Sequence, residues 1–390
     1  MTDTNPKTWD IFCRVVDNYG DIGVCWRLAR QLANEHSLIV RLWVDEIAAL
    51  QQIWPDTTLS VAQNIAGVQV CIWDDDAETG SFATGSFATD YVADVVIEAF
   101  ACHLPDTYLA KMKLCARQPH WFNLEYLSAE PWVEGCHQLT SMHPQNGLKK
   151  TYFFPGFSAK TGGLLRERNL LIDRDDFILT EKKNSFFQTL GITGLEKNTL
   201  VISLFSYENI AITSLMKTWS LAQTPIVVIV PVGRALTSIN TGLNLCLREG
   251  EQYTLGALNV RIIPFLTQTD YDKLLWSCDI NFVRGEDSFV RAQWAAKPFI
   301  WNIYPQDDAV HLVKLKAFLD KHTATAEYKL ANAISQLWIN WNTAEDCSDA
   351  WNLLANLNAE WRKQNQDWSN SLRLLPELAG NLVDFCQKAL

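Results

Sequence analysis

The chain has 390 residues, 48% hydrophobic and 20% charged, the balance of a globular protein with a sizeable core, and its length predicts two domains at about 100–200 residues each. With 33 Lys and Arg against 44 Asp and Glu the net charge is −11, which argues against a general phosphate-neutralising surface for nucleic acid; no basic amphipathic helix for a membrane surface and no apolar run near the ~18 residues of a membrane span is present. The polar start with Pro6 is not a secretory signal, and ten scattered Cys without a C-x-x-C pair, with Cys13, Cys25, Cys71 and Cys278 in apolar runs, predict buried free thiols in a reduced, cytoplasmic protein.

In the first half, strand signals at 9–16, 38–44, 68–73, 93–99 and 120–124 alternate with helical patterns. Over 24–36, Cys25, Leu28, Ala29 and Leu32 follow the spacing of one helix face. Pro105 suits the first turn of a helix over 106–116. Such alternation predicts a parallel sheet. Residues 80–89 read Gly-Ser-Phe-Ala-Thr twice, a composition that needs no packed core and predicts a surface insertion. Irregular sequence over 128–168, with Pro131, Pro144, Pro155 and Gly162-Gly163, precedes a second alternating series from strand 199–205 to helix 307–320. From about 327 the chain reads as helical. The predicted fold class is α/β with two Rossmann-like domains facing a cleft. The first covers 1–178, with a C-terminal helix at 366–390 packing back on it, and the second covers 179–365.

Three groups of residues could carry chemistry. The first is the loop Asp17-Asn18-Tyr19-Gly20-Asp21-Ile22-Gly23, between a strand and a helix, where open α/β sheets bind ligands. It holds two carboxylates and no Lys or Arg. It also reads as a plain turn and helix cap. A dinucleotide fingerprint needs a third glycine that is missing here, although Asp45 would suit a ribose-binding acid. The second group is Arg284-Gly285-Glu286-Asp287-Ser288, between strand 279–283 and helix 288–296. The free N–H groups of that helix start, capped by Ser288, suit a diphosphate, with Arg284 as a charged donor. Glu286 suits a sugar hydroxyl. The third group is Phe205, Tyr207, Phe265, Gln268 and Tyr271 at strand ends, which suit a nucleobase as well as they suit a core.

Other chemistries are not supported. Ala159 and Phe154 stand where a phosphate loop at Lys160-Thr161 needs glycines, there is no G-x-S-x-G, and the seven His show no i, i+4 ligand pair. No metal and no cofactor is expected.

The segments DNYGDIGVCWRLARQLA (17–33), FNLEYLSAE (122–130), FFPGFSAKTGGLLRE (153–167) and RGEDSFVRAQWAAKPFIWNIYPQ (284–306) resemble the bacterial EarP family, arginine rhamnosyltransferases of elongation factor P. The resemblance covers nearly the whole chain. It implies the GT-B glycosyltransferase architecture and inverting transfer of L-rhamnose from dTDP-β-L-rhamnose to an arginine of elongation factor P. By the same resemblance Asp17, Asp21 and Glu286 are needed for activity, and Asn18 and Gly20 belong to the same substrate loop. Phe205, Tyr207, Phe265, Gln268 and Tyr271 surround the thymine, while Asp287, Ser288, Arg284 and Tyr304 meet the diphosphate. The rival functions are a GT-B transferase with another acceptor and a non-catalytic nucleotide-sugar-binding protein, which has no need of two acids in the loop.

Overall fold

The computed structural model describes residues 7–17, 19–73, 91–180 and 182–388. The repeat at 80–89 and Asn18 lie outside the described residues. The chain divides into two compact units, Met1–Arg168 with Leu374–Leu390, and Asn169–Arg373.

The first unit runs β1 (Thr8–Cys13), α1 (Gly20–His36), β2 (Ile39–Val44), α2 (Ile47–Ile53), β3 (Ala62–Ile65), β4 (Val68–Ile72), β5 (Val95–Ala99), α3 (Asp106–Leu114), β6 (His120–Leu124), α4 (Val133–Cys136), β7 (Thr140–Met142) and β8 (Lys149–Phe153). Its sheet has the order β3-β4-β2-β1-β5-β6-β8-β7. The interior strands pair in parallel. β5 is buried at every position, as strands covered on both faces are. The wholly parallel sheet expected from sequence is corrected at both edges, where β3 and β7 run antiparallel to β4 and β8. These edge strands are short and β7 is exposed throughout, so they carry no period-2 signal.

Beneath this sheet Asp10, fully buried, accepts from Arg41 Nε at 2.5 Å and Nη2 at 2.6 Å, and from the Tyr108 hydroxyl. The pairing is what allows a carboxylate to sit there. Phe12 stacks on Trp43 alongside it, with ring centroids 5.6 Å apart. Cys13, Cys25, Cys71 and Cys278 are buried free thiols, and Trp43, Trp73 and Trp276 are core residues, as their apolar neighbours predicted.

The second unit runs α5 (Leu170–Leu179), α6 (Lys182–Thr189), β9 (Leu200–Leu204), α7 (Ile212–Ser220), β10 (Ile226–Pro231), α8 (Arg234–Leu243), β11 (Gln252–Leu255), β12 (Leu258–Ile263), α9 (Gln268–Ser277), β13 (Ile280–Arg284), α10 (Asp287–Ala295), β14 (Phe299–Asn302), α11 (Val310–His322), α12 (Tyr328–Asn342), α13 (Ser348–Ala355) and α14 (Asn358–Leu372). The strand order is β11-β12-β10-β9-β13-β14, parallel except at the β11 edge.

The division falls at Arg168/Asn169, earlier than the 178/179 placed by sequence. Helix α5 belongs to the second unit because Phe177 packs on Trp276 (5.6 Å) and Arg174 Nη1 donates to the Trp294 carbonyl at 2.6 Å. Helix α14 belongs there as well, so the return begins at 374 rather than 366. The last helix, α15 (Leu378–Lys388), packs in the first unit. Phe385 meets Phe122 at 5.5 Å, Leu378 N donates to the Leu164 carbonyl at 3.0 Å, and Gln31 Nε2 donates to Glu377 at 3.0 Å. Among the described residues no helix is long and apolar enough to cross a membrane.

Candidate active site

Each sheet reverses its winding at one point, between β1 and β5 in the first unit and between β9 and β13 in the second. Crevices at the carboxyl ends of strands at such a point are where α/β sheets take ligands. Both chemistry-bearing segments predicted from sequence follow a strand at these points.

In the first unit the segment after β1 is held by carboxylates. Val15 N donates to Asp45 Oδ1 at 3.0 Å, so Asp45 pins the loop rather than awaiting a ribose. Asp21 sits in the first turn of α1, where the helix dipole favours an anion, and is only 2% exposed. Its Oδ2 accepts from Val16 N (3.0 Å) and Asp17 N (2.9 Å), and its Oδ1 accepts from the Tyr126 hydroxyl (3.1 Å). Burial raises its pKa above the ordinary 3.8, and the neighbouring Asp17 adds to this, while the three hydrogen bonds work in the opposite sense. The plain cap reading is corrected. Tyr19 stands at the N-cap and makes no side-chain cap bond, and the Asp21 side chain reaches back to the two amides before the helix. Asp17 is half-buried, and a Cβ on Gly20 would lie 2.8 Å from its Oδ2. A side chain at position 20 would therefore displace the Asp17 carboxylate.

In the second unit Arg284 ends β13, 8% exposed, with its guanidinium carbon 4.6 Å from the Phe205 ring centre and 4.7 Å from that of Tyr207. Phe205 and Tyr207 follow β9, the strand next to β13. Phe205 packs on Tyr271 at 5.3 Å, and Tyr207 meets the half-exposed Tyr304 edge to face at 5.5 Å. Gln268 opens α9, and its Nε2 donates to Asp287 Oδ2 at 3.2 Å. Phe265 follows β12, two strands from β9, and is half-buried.

Gly285 turns the chain after β13 at φ 62, a left-handed conformation that glycine adopts without strain. The turn is fixed by Trp301 Nε1, which donates to the Gly285 carbonyl at 2.7 Å. Glu286 stands at the N-cap of α10 without a side-chain cap bond. Ser288 is not the cap expected from sequence, because the helix starts one residue earlier, at Asp287. Its hydroxyl accepts from Arg284 N at 3.1 Å and donates to the Arg284 carbonyl, tying the strand end to the helix start.

Sequence reasoning missed two supporting groups. Asn302 Oδ1 accepts from Tyr207 N at 3.1 Å and holds that ring's backbone. Tyr126 bonds Asp21, and its ring stacks on Phe100 at 4.3 Å. Asn302 lies in the 284–306 motif and Tyr126 in the 122–130 motif, so the signal was present without a partner to interpret it. Among the described residues no cluster of three or more His, Cys, Asp or Glu is placed to hold a metal.

A model of the family described as elongation factor P (EF-P) rhamnosyltransferase EarP matches residues 9–387. The chain belongs to the EarP family. Family relatives include the protein-arginine rhamnosyltransferase of Pseudomonas putida, 46% identical over 98% of this chain and 99% of its own. That of Pseudomonas aeruginosa is 44% identical over 97% of this chain and 98% of its own. A solved structure of the EarP family, addressing the structural basis of EarP-mediated arginine glycosylation of EF-P, is 35% identical and superposes with a TM-score of 0.70 over 98% of this chain and 99% of that one. The forosaminyltransferase SpnP, 9% identical at a TM-score of 0.52, shares the fold alone. The architecture is that of GT-B glycosyltransferases, as the EarP resemblance implied.

Proposed function

We propose that this protein transfers L-rhamnose from dTDP-β-L-rhamnose to an arginine side chain of elongation factor P, with inversion, in the cytoplasm and with no metal or cofactor. The observation that carries the reading is Arg284, buried against Phe205 and Tyr207 at the end of β13, just before α10. A cation beside a helix N-terminus suits a diphosphate, and aromatic rings suit a base. Membership of the EarP family supports rhamnose and elongation factor P as the two substrates.

The first unit supplies the base. A free guanidinium is so weak an acid that removing its proton at pH 7 costs about 9 kcal/mol. In this mechanism Asp21 holds the guanidinium and accepts its proton only as the new C–N bond forms. Burial raises the basicity of Asp21, which favours that role. Asp17 orients the guanidinium. The guanidinium nitrogen attacks the anomeric carbon from the face opposite the diphosphate, which departs onto Arg284 and the N-terminus of α10. Glu286 takes a sugar hydroxyl, and Asp287 and Ser288 bring their backbone N–H groups to the diphosphate.

Intact-mass spectrometry of elongation factor P after incubation with the protein and dTDP-rhamnose tests the reading. A gain of one deoxyhexose on arginine is expected. No gain, with dTDP still bound in calorimetry, overturns the acceptor and leaves a nucleotide-sugar-binding protein.

Two substitutions probe the parts. Phe205→Ala or Tyr207→Ala is expected to weaken dTDP binding on the order of tenfold, the scale of one lost stacking contact. An unchanged Kd in calorimetry removes that ring from the pocket. Gly20→Ala puts a methyl against the tip of the Asp17 side chain, which can move away without disturbing the backbone. Turnover should therefore drop on the order of tenfold or more while the melting temperature stays level or rises, since alanine favours a helix. A loss of stability with normal turnover would mean that the position of Asp17 is irrelevant.

A further inference from the structure

The aromatic pair Tyr207 and Tyr304 is held from behind by one side chain. Asn342 is the last residue of α12 and makes all four hydrogen bonds an amide side chain can make. Its Nδ2 donates to the Trp338 carbonyl of its own helix at 2.9 Å and to the Trp301 carbonyl at 2.8 Å. Its Oδ1 accepts from Ile303 N at 3.0 Å and from Asn302 Nδ2 at 3.3 Å. Trp301, Asn302 and Ile303, at the end of β14 and just past it, are thus fixed by a single amide.

Both tyrosines hang on this connection. Asn302 relays it to the backbone of Tyr207 through its Oδ1 at 3.1 Å. Ile303 stands directly before Tyr304, and the two tyrosine rings meet at 82°. The N–H groups of Tyr207 and Ile303 can be met only by oxygen, which sets which way both amides face. The helix end that carries Asn342 is a firm base. Trp338 and Trp341 are fully buried, against Phe299 at 5.2 Å and Phe282 at 4.8 Å. Asn209 Nδ2 donates to the Trp341 carbonyl at 2.7 Å, so the segment after Tyr207 is tied to the same helix end. Rings locked by hydrogen bonds to a rigid element keep a fixed place, and a small displacement in a binding site costs affinity.

We propose that Asn342 is a positioning residue for the donor nucleotide: acting through Asn302 and Ile303, it sets where Tyr207 and Tyr304 stand and so sets the affinity for dTDP. The proposal rests on the reading that these two tyrosines meet the donor.

Calorimetry with dTDP on the wild type, Asn342→Leu, Asn302→Ala and the double variant tests it, with chemical denaturation as the folding control. Asn342→Leu keeps the volume, loses all four bonds and raises the Kd roughly tenfold. Asn302→Ala removes the link to Tyr207 and raises the Kd as well. In the double variant the Kd rises by less than the product of the single effects, because the two residues act along one chain; independent effects would multiply. In turnover, Asn342→Leu raises KM for dTDP-rhamnose and leaves kcat and KM for elongation factor P at their wild-type values, a split that general loosening does not give. An unchanged Kd in folded Asn342→Leu overturns the proposal, as does a joint rise in both KM values. Should that variant not fold, an unchanged Kd in Asn302→Ala overturns it. Single effects that multiply in the double variant overturn the relay. A wild type without affinity for dTDP overturns instead the reading of the pocket on which the relay depends.

Discussion

With asparagine at position 21, turnover falls on the order of 10³-fold or more while affinity for dTDP stays at the wild-type value. The amide fits the same hole. Its oxygen can take the two amides of Val16 and Asp17, and its NH₂ can donate to the Tyr126 hydroxyl, which reverses its role. The loop therefore survives and only the negative charge and the proton acceptor are lost, a loss worth about 10²–10⁴ in rate for a general base, with the guanidinium's electrostatic partner in addition. Single-turnover assay beside nucleotide titration reads the two effects separately. Near-normal turnover in Asp21→Asn would remove this residue as the base. In the wild type the same carboxylate sets a pH limit. Because burial raises its pKa, activity should fall with acidification at a higher pH than an ordinary carboxylate near 3.8 would give.

Asp272→Ala should destabilise the second unit by about 3–5 kcal/mol, the cost of stranding a buried charge. Asp272 on α9 accepts from Arg291 Nε at 3.0 Å and Nη2 at 2.7 Å on α10, and both side chains are less than a tenth exposed. The substitution takes both of these bonds from a guanidinium in the core. The double variant Asp272→Leu with Arg291→Met should recover most of the stability, since an apolar pair of similar volume replaces a buried ion pair at little or no cost. Chemical denaturation measures both. A single variant no worse than the double would show that the pair is not buried in solution. Because α10 carries the Glu286–Ser288 segment at its start, dTDP affinity should follow stability across the set.

The interior strands and the helix face of α1 were readable because their periods are dictated by burial: Cys25, Leu28, Ala29 and Leu32 line up as a buried stripe. The edge strands β3, β7 and β11 were not, because exposed residues such as Thr140–Met142 obey no alternation. The two candidate loops were legible as local strings, Asp17 to Asp21 and Arg284 to Ser288. Their supports were not, because Tyr126 meets Asp21 across 105 residues and Asn302 meets Tyr207 across 95, and no local pattern encodes such pairings. The assignment of Ser288 as a cap failed for a similar reason: the hydroxyl found a better partner in the strand end before it.

The first unit is built from both ends of the chain, with Glu377 bonded to Gln31 of α1 and Leu378 of α15 bonded to Leu164. The second unit, Asn169–Arg373, is contiguous. On the ribosome, where domains fold as units while the chain emerges, the contiguous second unit can therefore finish before the unit bearing Asp17 and Asp21, which needs residues from 374 onward. Loss of α15 alone would leave the second unit whole and the first incomplete.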